Sequence, residues 1–417
     1  MTRLQVCMLL PLLAAAGSGA DARQILIRDA KVYTEGAQGT LEHADVLIRD
    51  GRIAAVGKGL SSPAEGGVVE GHGRPLTPGL FGGISPLGIG EVAAESSTVD
   101  AQLNLDAAAG GPKWRPDFDV TLAFNPRSVL VPVTRIEGVT WTVLSPFSKN
   151  SIVSGQGAAV TLNGRFDAVM EGSRSLFISL GGDSKRRSGG SRAAQYMLLQ
   201  QALSEVRAPR SLNEGALLNA QGREALAPYL AGGRIVFEVQ RASDIHQLLL
   251  FVRRHNLNAV ISGGSEAWLV ADELARARIP VILDPLDNLP ESFDSLGARL
   301  DNAALLHHAG VRVAFSGGDD YNARNIRQLA GNAVAHGLPW EAALAAITTV
   351  PADIFGVGAQ HGRIETGQVA DLVLWSGDPL EITTQAEQVW MAGRPLSMRS
   401  RQTELRDRYL QREALQQ

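Results

Sequence analysis

The chain has 417 residues, of which 45% are hydrophobic and 20% charged, with a formal net charge of -4. That composition excludes global disorder, and the length leaves room for a barrel of about 250 residues beside a smaller unit. No basic stripe points to nucleic acid, and the run Lys185-Arg186-Arg187 reads as a solvated loop.

The first residues read as a targeting segment. Arg3 supplies a short positive region, residues 6–16 are apolar and broken by Pro11, and Ala16-Gly17-Ser18-Gly19-Ala20 offers the small side chains a signal peptidase needs. A signal peptide over 1–22 is expected, and with it a secreted, periplasmic protein; a buried N-terminal helix is the alternative. The apolar run is too short to span a bilayer, and no later run is long enough, so no membrane span is expected after signal removal. The single cysteine, Cys7, lies in this leader. Its removal would exclude disulfides, thiolate metal sites and a cysteine nucleophile.

From residue 24 the pattern turns to strands at 25–27, 31–33, 44–48, 52–56 and 67–70. Asp50-Gly51 between two of them is a hairpin turn, because such a turn needs positive φ. A small antiparallel β unit is therefore expected over 24–77, ending at Pro78-Gly79. The centre alternates instead. Strands are expected at 138–144, 175–180, 234–239, 258–261, 279–283 and 311–315, with helices at 191–207, 242–255, 265–277 and 300–310. Alternation of this kind implies a parallel sheet with right-handed crossovers. It predicts a closed (β/α) barrel, with an open doubly wound sheet as the alternative; no GxGxxG opens a helix after a strand. A helix follows Pro339 through Thr348. Strand patterns return at 362–364 and 370–375, a hairpin at 388–395, and a charged amphipathic helix closes the chain.

Together these pieces resemble the amidohydrolase superfamily, closest to its imidazolonepropionase-like secreted members. Residues 362–373, Gly-Arg-Ile-Glu-Thr-Gly-Gln-Val-Ala-Asp-Leu-Val, are similar to the family's closing signature. Pro78-Gly79-Leu80 looks like the family's entry into the barrel. The resemblance implies an α/β fold: a (β/α)8 TIM-type barrel over 78–348, a composite β-sandwich domain from 24–77 and 349–397, and a C-terminal helix over 398–417.

The family carries histidines that bind a divalent metal at positions matching Ile84 and Pro86, and further ones matching Glu238 and Gly263. Ile, Pro and Gly side chains offer no lone pair to a metal. Gly182 stands where some relatives have a bridging glutamate, and no lysine follows Lys185. The resemblance thus implies a hydrolase of non-peptide, cyclic amide-like C–N bonds with a degenerate metal site. No cofactor is expected, with a divalent metal such as zinc only if a residual site exists. The alternative is a catalytically silent periplasmic binding protein on the same scaffold.

One family element survives in Phe315-Ser316-Gly317-Gly318-Asp319-Asp320. There an aspartate would orient water and shuttle its proton; Asp319 is the first choice and Asp320 the second. Glu238, at a strand end in the cleft, is a candidate general base, with a salt bridge to Arg241 or to a barrel arginine as the alternative. Asn322, Arg324 and Asn325 resemble a stretch that would hold a substrate carbonyl or carboxylate. The eight histidines read as structural or surface residues. Gly155-Gln156-Gly157 reads as a structural turn. No GxSxG elbow appears. A small molecule is the expected partner.

Overall fold

The structure is a computed structural model that describes residues 24–92, 94–104, 114–207, 215–318 and 322–414, with side chains to residue 411. The expected leader, residues 1–22, lies outside the described residues.

Five strands open the chain: β1 (Gln24–Tyr33), β2 (Thr40–Arg49), β3 (Arg52–Gly57), β4 (Gly67–Glu70) and β5 (Pro75–Pro78). Asp50 and Gly51 both have positive φ, 52° and 79°, as the β2–β3 hairpin requires. The unit is not purely antiparallel, because β4 and β5 both run parallel to β1.

The barrel strands follow. They are β6 (Leu80–Ser85), β8 (Val139–Leu144), β10 (Val153–Gly157), β11 (Ala159–Thr161), β12 (Ser175–Ser179), β13 (Arg234–Val239), β14 (Asn258–Gly263), β15 (Val281–Leu283) and β16 (Val313–Phe315). Between them, β7 (Gln102–Leu103) and β9 (Phe147–Ser148) form a short parallel ladder. β6 pairs parallel with β8, and β12 through β16 pair parallel in sequence order.

The wall between β8 and β12 departs from eight alternating β/α units. One stretch of chain, 153–161, fills the gap running the other way: β11 pairs antiparallel with β8 and β10 antiparallel with β12. The segment joining β8 to β12 carries no helix among the described residues, and without a crossover helix the chain can return only antiparallel. Gly157 makes this possible, because a Cβ there would sit 1.9 Å from the Leu144 carbonyl oxygen. On the other side, Ser316 joins β16 to β6. Its hydroxyl accepts from the Ile84 amide at 2.9 Å and donates to the Ile84 carbonyl at 3.2 Å. Below it, Phe315 N donates to Ala346 O and Phe81 N to Ile347 O.

Strand residues alternate between two cores, as period-2 geometry demands. Phe81, Trp141, Val143, Phe177, Val236, Val260, Ile282 and Ala314 fill the barrel interior with Phe355. Leu80, Val139, Leu176, Ile235, Phe237, Ile261, Val281 and Phe315 pack outward under the helices. Both faces are apolar, which is why the strands read as continuous hydrophobic runs. The helix Ala242–His255 buries Ile245, Leu248, Leu249 and Val252 on one stripe and ends at Asn256 in the left-handed region. The helix expected over 265–277 splits into Ala267–Val270 and Ala271–Ala277. The one expected through Thr348 stops at Ala345.

β17 (Leu372–Trp375), β18 (Ala386–Met391) and β19 (Arg394–Pro395) return to the first sheet, giving the order β19-β18-β17-β5-β1-β2-β3. The composite unit from both chain ends is therefore one mixed sheet rather than two facing ones. Trp375 Nε1 donates to Thr77 Oγ1 at 2.8 Å across the join. Residues 349–357, expected in this unit, belong to the barrel instead: Ala352, Ile354, Phe355 and Val357 plug its interior. The helix Arg401–Ala414 ends the described chain. Among the described residues no helix is long and apolar enough to cross a membrane.

Two stability predictions follow from this packing. Gly157→Ala drives a methyl into backbone that cannot move aside. It should cost about 2–3 kcal/mol, read as an earlier denaturant midpoint at unchanged slope. Glu35, at the join of sheet and barrel, has its carboxyl raised to about 7 by burial, against the pull of the Thr348 hydroxyl and Arg363, with Glu341 adding to the rise. The folded state thus holds that proton more tightly than the unfolded state does. The stabilisation is full below about pH 4.5 and is lost as pH rises through 7. Glu35→Gln should match the parent near pH 4.5 and exceed it by about 1–2 kcal/mol near pH 8, after allowance for partial exposure. Thermal melts at the two pH values decide it.

Candidate functional site

A cavity of about 420 Å³ opens at the carboxyl ends of the barrel strands. This is where a barrel's active site is expected. Its floor is apolar: Ile84 from β6, Phe177 from β12, Val236 from β13 and Ile282 from β15. Its walls are polar. Glu238 stands on β13, and Asp284 and Asp287 follow β15. Ser179 on β12 lies opposite Glu238 in the parallel ladder, and its hydroxyl donates to Glu238 Oε2 at 2.6 Å. Gly317 and Gly318 complete the rim.

The two aspartates share a cause for their chemistry. Burial raises the Asp284 carboxyl above the usual range, although Oδ1 accepts the Leu286 amide at 2.9 Å. Asp287 is exposed as a residue, yet its carboxyl hangs over the cavity. Burial, followed by repulsion from Asp284 and Glu291, raises it too, against a weak bond from Ser265. Neither makes an ion pair among the described residues. Sequence reasoning missed both, although Leu283-Asp284-Pro285 carried a signal: an acid immediately after a barrel strand, ahead of a proline that ends it.

Of the candidate catalytic and substrate-binding residues named from sequence, Glu238 is the one that lines this cavity among the described residues. Glu238 makes no ion pair with Arg241 among the described residues; the field of Glu238, with that of Asp183, acts on Arg187, whose pKa burial lowers. Asp319 and Asp320 lie outside the described residues. Arg324 and Asn325 border a separate side cleft of about 220 Å³ with Glu137, Gln328 and Leu380. Arg324 donates to Gln402 of the C-terminal helix at 3.1 Å, and Asn325 donates to Asn322 at 3.2 Å. The short turn Ala323–Asn325 carries these two side chains away from the mouth, so a substrate contact there is not what the placement supports.

The positions matching family metal ligands are occupied in other ways. Ile84 is 8% exposed and packs into the interior core. Gly263 has a φ of 92°, and its missing Cβ would lie 2.3 Å from the Gln240 amide. Gln240 is held there by the Ser265 amide and hydroxyl at 3.2 and 2.9 Å. At Gly182 an added Cβ would meet Asp294. That carboxylate accepts from the Gly182 amide and from Arg192, which also binds Asp244 at 2.7 Å. A larger side chain at 263 would have to displace the Gln240 amide, and one at 182 the Asp294 carboxylate; as they stand, the side chains of Ile84, Gly182 and Gly263 offer no donor atom to a metal. Among the described residues, no group of three or more His, Cys, Asp or Glu converges as a metal site.

The histidines take structural partners. His361 bonds Asp371 at 3.1 Å, His246 bonds Glu273 at 2.8 Å and His43 bonds Asp29 at 2.7 Å. Asp371 also accepts the Ala392 amide at 2.7 Å, so the closing signature residue ties the last hairpin in place. Gln156 donates to the Pro116 carbonyl and accepts from Tyr229, which makes the Gly155–Gly157 stretch a wall fixture.

Comparison with known proteins places this geometry. Residues 301–397 match the model of the amidohydrolase family. A crystal structure of an amidohydrolase from Thermotoga maritima superposes with a TM-score of 0.78 at 23% identity, covering 90% of this chain and 100% of that one. The fold is the amidohydrolase fold. Amidohydrolase tasK of Hapsidospora irregularis is 24% identical over 426 residues, covering 88% of this chain. A dihydroorotase of Geobacter sulfurreducens is 43% identical over 57 residues, 14% of the chain. The chain spans 42% of the length of tasK and 13% of that of the dihydroorotase.

The Asp294 clasp yields a prediction. Arg192→Met leaves Asp244 and Asp294, 8% and 6% exposed, without their cation. The loss should be about 3 kcal/mol, with new protease cleavage within residues 286–300. An unchanged cleavage pattern would remove the clasp from the account of how the rim is held.

Proposed function

We propose that this chain is an amidohydrolase-type barrel whose mouth takes a small molecule without a histidine metal centre, and that it does not hydrolyse C–N bonds by metal-activated water. The single observation carrying this reading is that the Gln240 amide, held by Ser265, occupies the space above Gly263, where the resemblance would set an imidazole. Its weight comes from chemistry. Water is a poor nucleophile at neutral pH, and lowering its pKa into that range is what the metal does in such sites. Carboxylates alone hold transition metals less selectively than imidazole does.

A second reading is favoured by one feature. Ser179 bonded to Glu238, beside two aspartates with raised pKa values, is a set of groups able to hold and move protons in a cleft. On that reading the barrel hydrolyses a C–N bond with carboxylates alone, and Glu238 is the base. The names of the two relatives, an amidohydrolase and a dihydroorotase, are consistent with a C–N bond as the target.

Metal content separates these readings from the family's usual chemistry. The purified protein, produced without an imidazole tag, is expected to hold zinc, manganese and iron at well under one ion per chain. Near-stoichiometric metal would overturn the proposal. A panel of hydantoins and dipeptides then divides the two readings: no turnover supports binding alone, whereas turnover abolished by Glu238→Gln supports carboxylate catalysis.

A further inference from the structure

We propose that the barrel mouth selects an organic cation, a small amine or amidinium that carries an apolar group. This rests on the reading of the mouth as a small-molecule site without a histidine metal centre, and it names the class of molecule.

Four features of the cavity point the same way. Glu238, Asp284 and Asp287 reach it from two strand ends, and the described residues lining it include no lysine, arginine or histidine. The guanidinium that feels Glu238, Arg187, is committed to other partners. Its N–H groups go to the Ser148 and Ser151 carbonyls and the Ser184 hydroxyl, and it lies 5.3 Å from the Phe147 ring centroid. It offsets Glu238 in part and leaves the two aspartates unopposed.

A second, independent feature is Ser154. It is 2% exposed as a residue, it borders the cavity, and its hydroxyl makes no hydrogen bond among the described residues. The hydroxyl is open to the cavity, so it is a polar group that a ligand there can bond. Ser154 is the extra residue of the bulge between Val153 and Gly155, and bulges of this kind re-aim a side chain.

The third feature is the floor. Ile84, Phe177, Val236 and Ile282 give an apolar base that an all-polar ligand, or a bare metal ion, does not satisfy. The fourth is size. At about 420 Å³ the cavity lies at the small end of the range that encloses drug-sized ligands, about 300–1,000 Å³. A ligand with a charged nitrogen at the acidic wall and a ring or branched chain on the floor satisfies all four. A carboxylate or phosphate is repelled, and a neutral amide leaves the aspartates desolvated and unpaired.

Calorimetry on the intact, metal-depleted protein at neutral pH tests this, with benzamidine and phenethylamine as cationic probes. Benzamide and benzoate are the neutral and anionic isosteres, and zinc and manganese are the metal probes. The cations are expected to bind and the isosteres to bind at least about ten-fold more weakly. Asp284→Asn, Asp287→Asn and Glu238→Gln should each weaken benzamidine about ten-fold or more, and Ser154→Ala measurably less, with folding checked by melting temperature. If one acid variant fails to fold, the remaining ones and Ser154→Ala decide. Equal binding of benzamide or benzoate, or unchanged affinity in the folded variants, overturns the inference. Failure of both cations to bind in a chain free of metal overturns it while leaving the proposed function standing. Tight stoichiometric binding of zinc or manganese that excludes benzamidine overturns both.

Discussion

A strand wall closes only if every backbone edge finds a partner, and here one stretch of chain, 153–161, decides whether it does. β8 and β12 lie too far apart in the wall to bond each other. The intervening chain lies between them, antiparallel to both. The arrangement hinges on Gly157, where the backbone passes against the Leu144 carbonyl. Much else is set by this contact. It fixes the spacing across which Phe177 and Val143 meet inside the barrel. It anchors Gln156 to Pro116 and Tyr229. The bulge that absorbs the strand's curvature turns Ser154 towards the mouth. A structural device on the wall thereby contributes to the chemistry of the site.

At the mouth, the positions that the sequence resemblance matches to metal ligands are filled by other groups. Ile84 extends the interior core upward, Gln240 covers Gly263, and Asp294 with Arg192 covers Gly182. Each replacement is satisfied by its own neighbours. What is left over is charge. Asp284 and Asp287 lie over an apolar floor with no facing base lining the cavity among the described residues; burial lifts both pKa values, and repulsion from Asp284 adds to the rise at Asp287. A site in that condition favours whatever brings positive charge with it. Its acids are therefore informative about the ligand even though their geometry matches no metal centre.

The fold was legible in the sequence wherever a local rule dominates. Asp50-Gly51 announced the hairpin because positive φ is required twice in succession. The helix Ala242–His255 was legible because its apolar stripe has helical spacing. What was not legible is what depends on distant partners. Nothing local distinguishes 153–161 as an antiparallel member of a parallel barrel, because its glycines act through Leu144 and Phe118 rather than through a turn. Residues 349–357 read as part of the β unit by position along the chain. Their burial in the barrel floor follows from Phe355 packing on Phe81, at 5.9 Å between centroids. At the mouth, Glu238 could be placed from sequence because it stands at a strand end in a recognisable stretch. Arg324 and Asn325 border a different cleft because the short turn Ala323–Asn325 sets their direction, which no local pattern in the sequence reveals.

The closing signature explains why such a barrel keeps its form with an altered mouth. Asp371 receives the Ala392 amide and His361, Glu365 receives the Ala37 amide, and Gly367 bonds Ile53. Buried Arg327 donates to the Pro379, Glu381 and Thr384 carbonyls and lies 4.8 Å from the Trp375 ring centroid. The first group ties the two chain ends into the mixed sheet, the Arg327 contacts join that unit to the barrel, and none of them involves a residue that lines the mouth. Substitution effects at sites that share no partners are close to additive. Side chains at the strand ends can therefore change without loosening this join. Resemblance carried by the signature accordingly speaks for the scaffold, and the chemistry has to be read from the mouth itself.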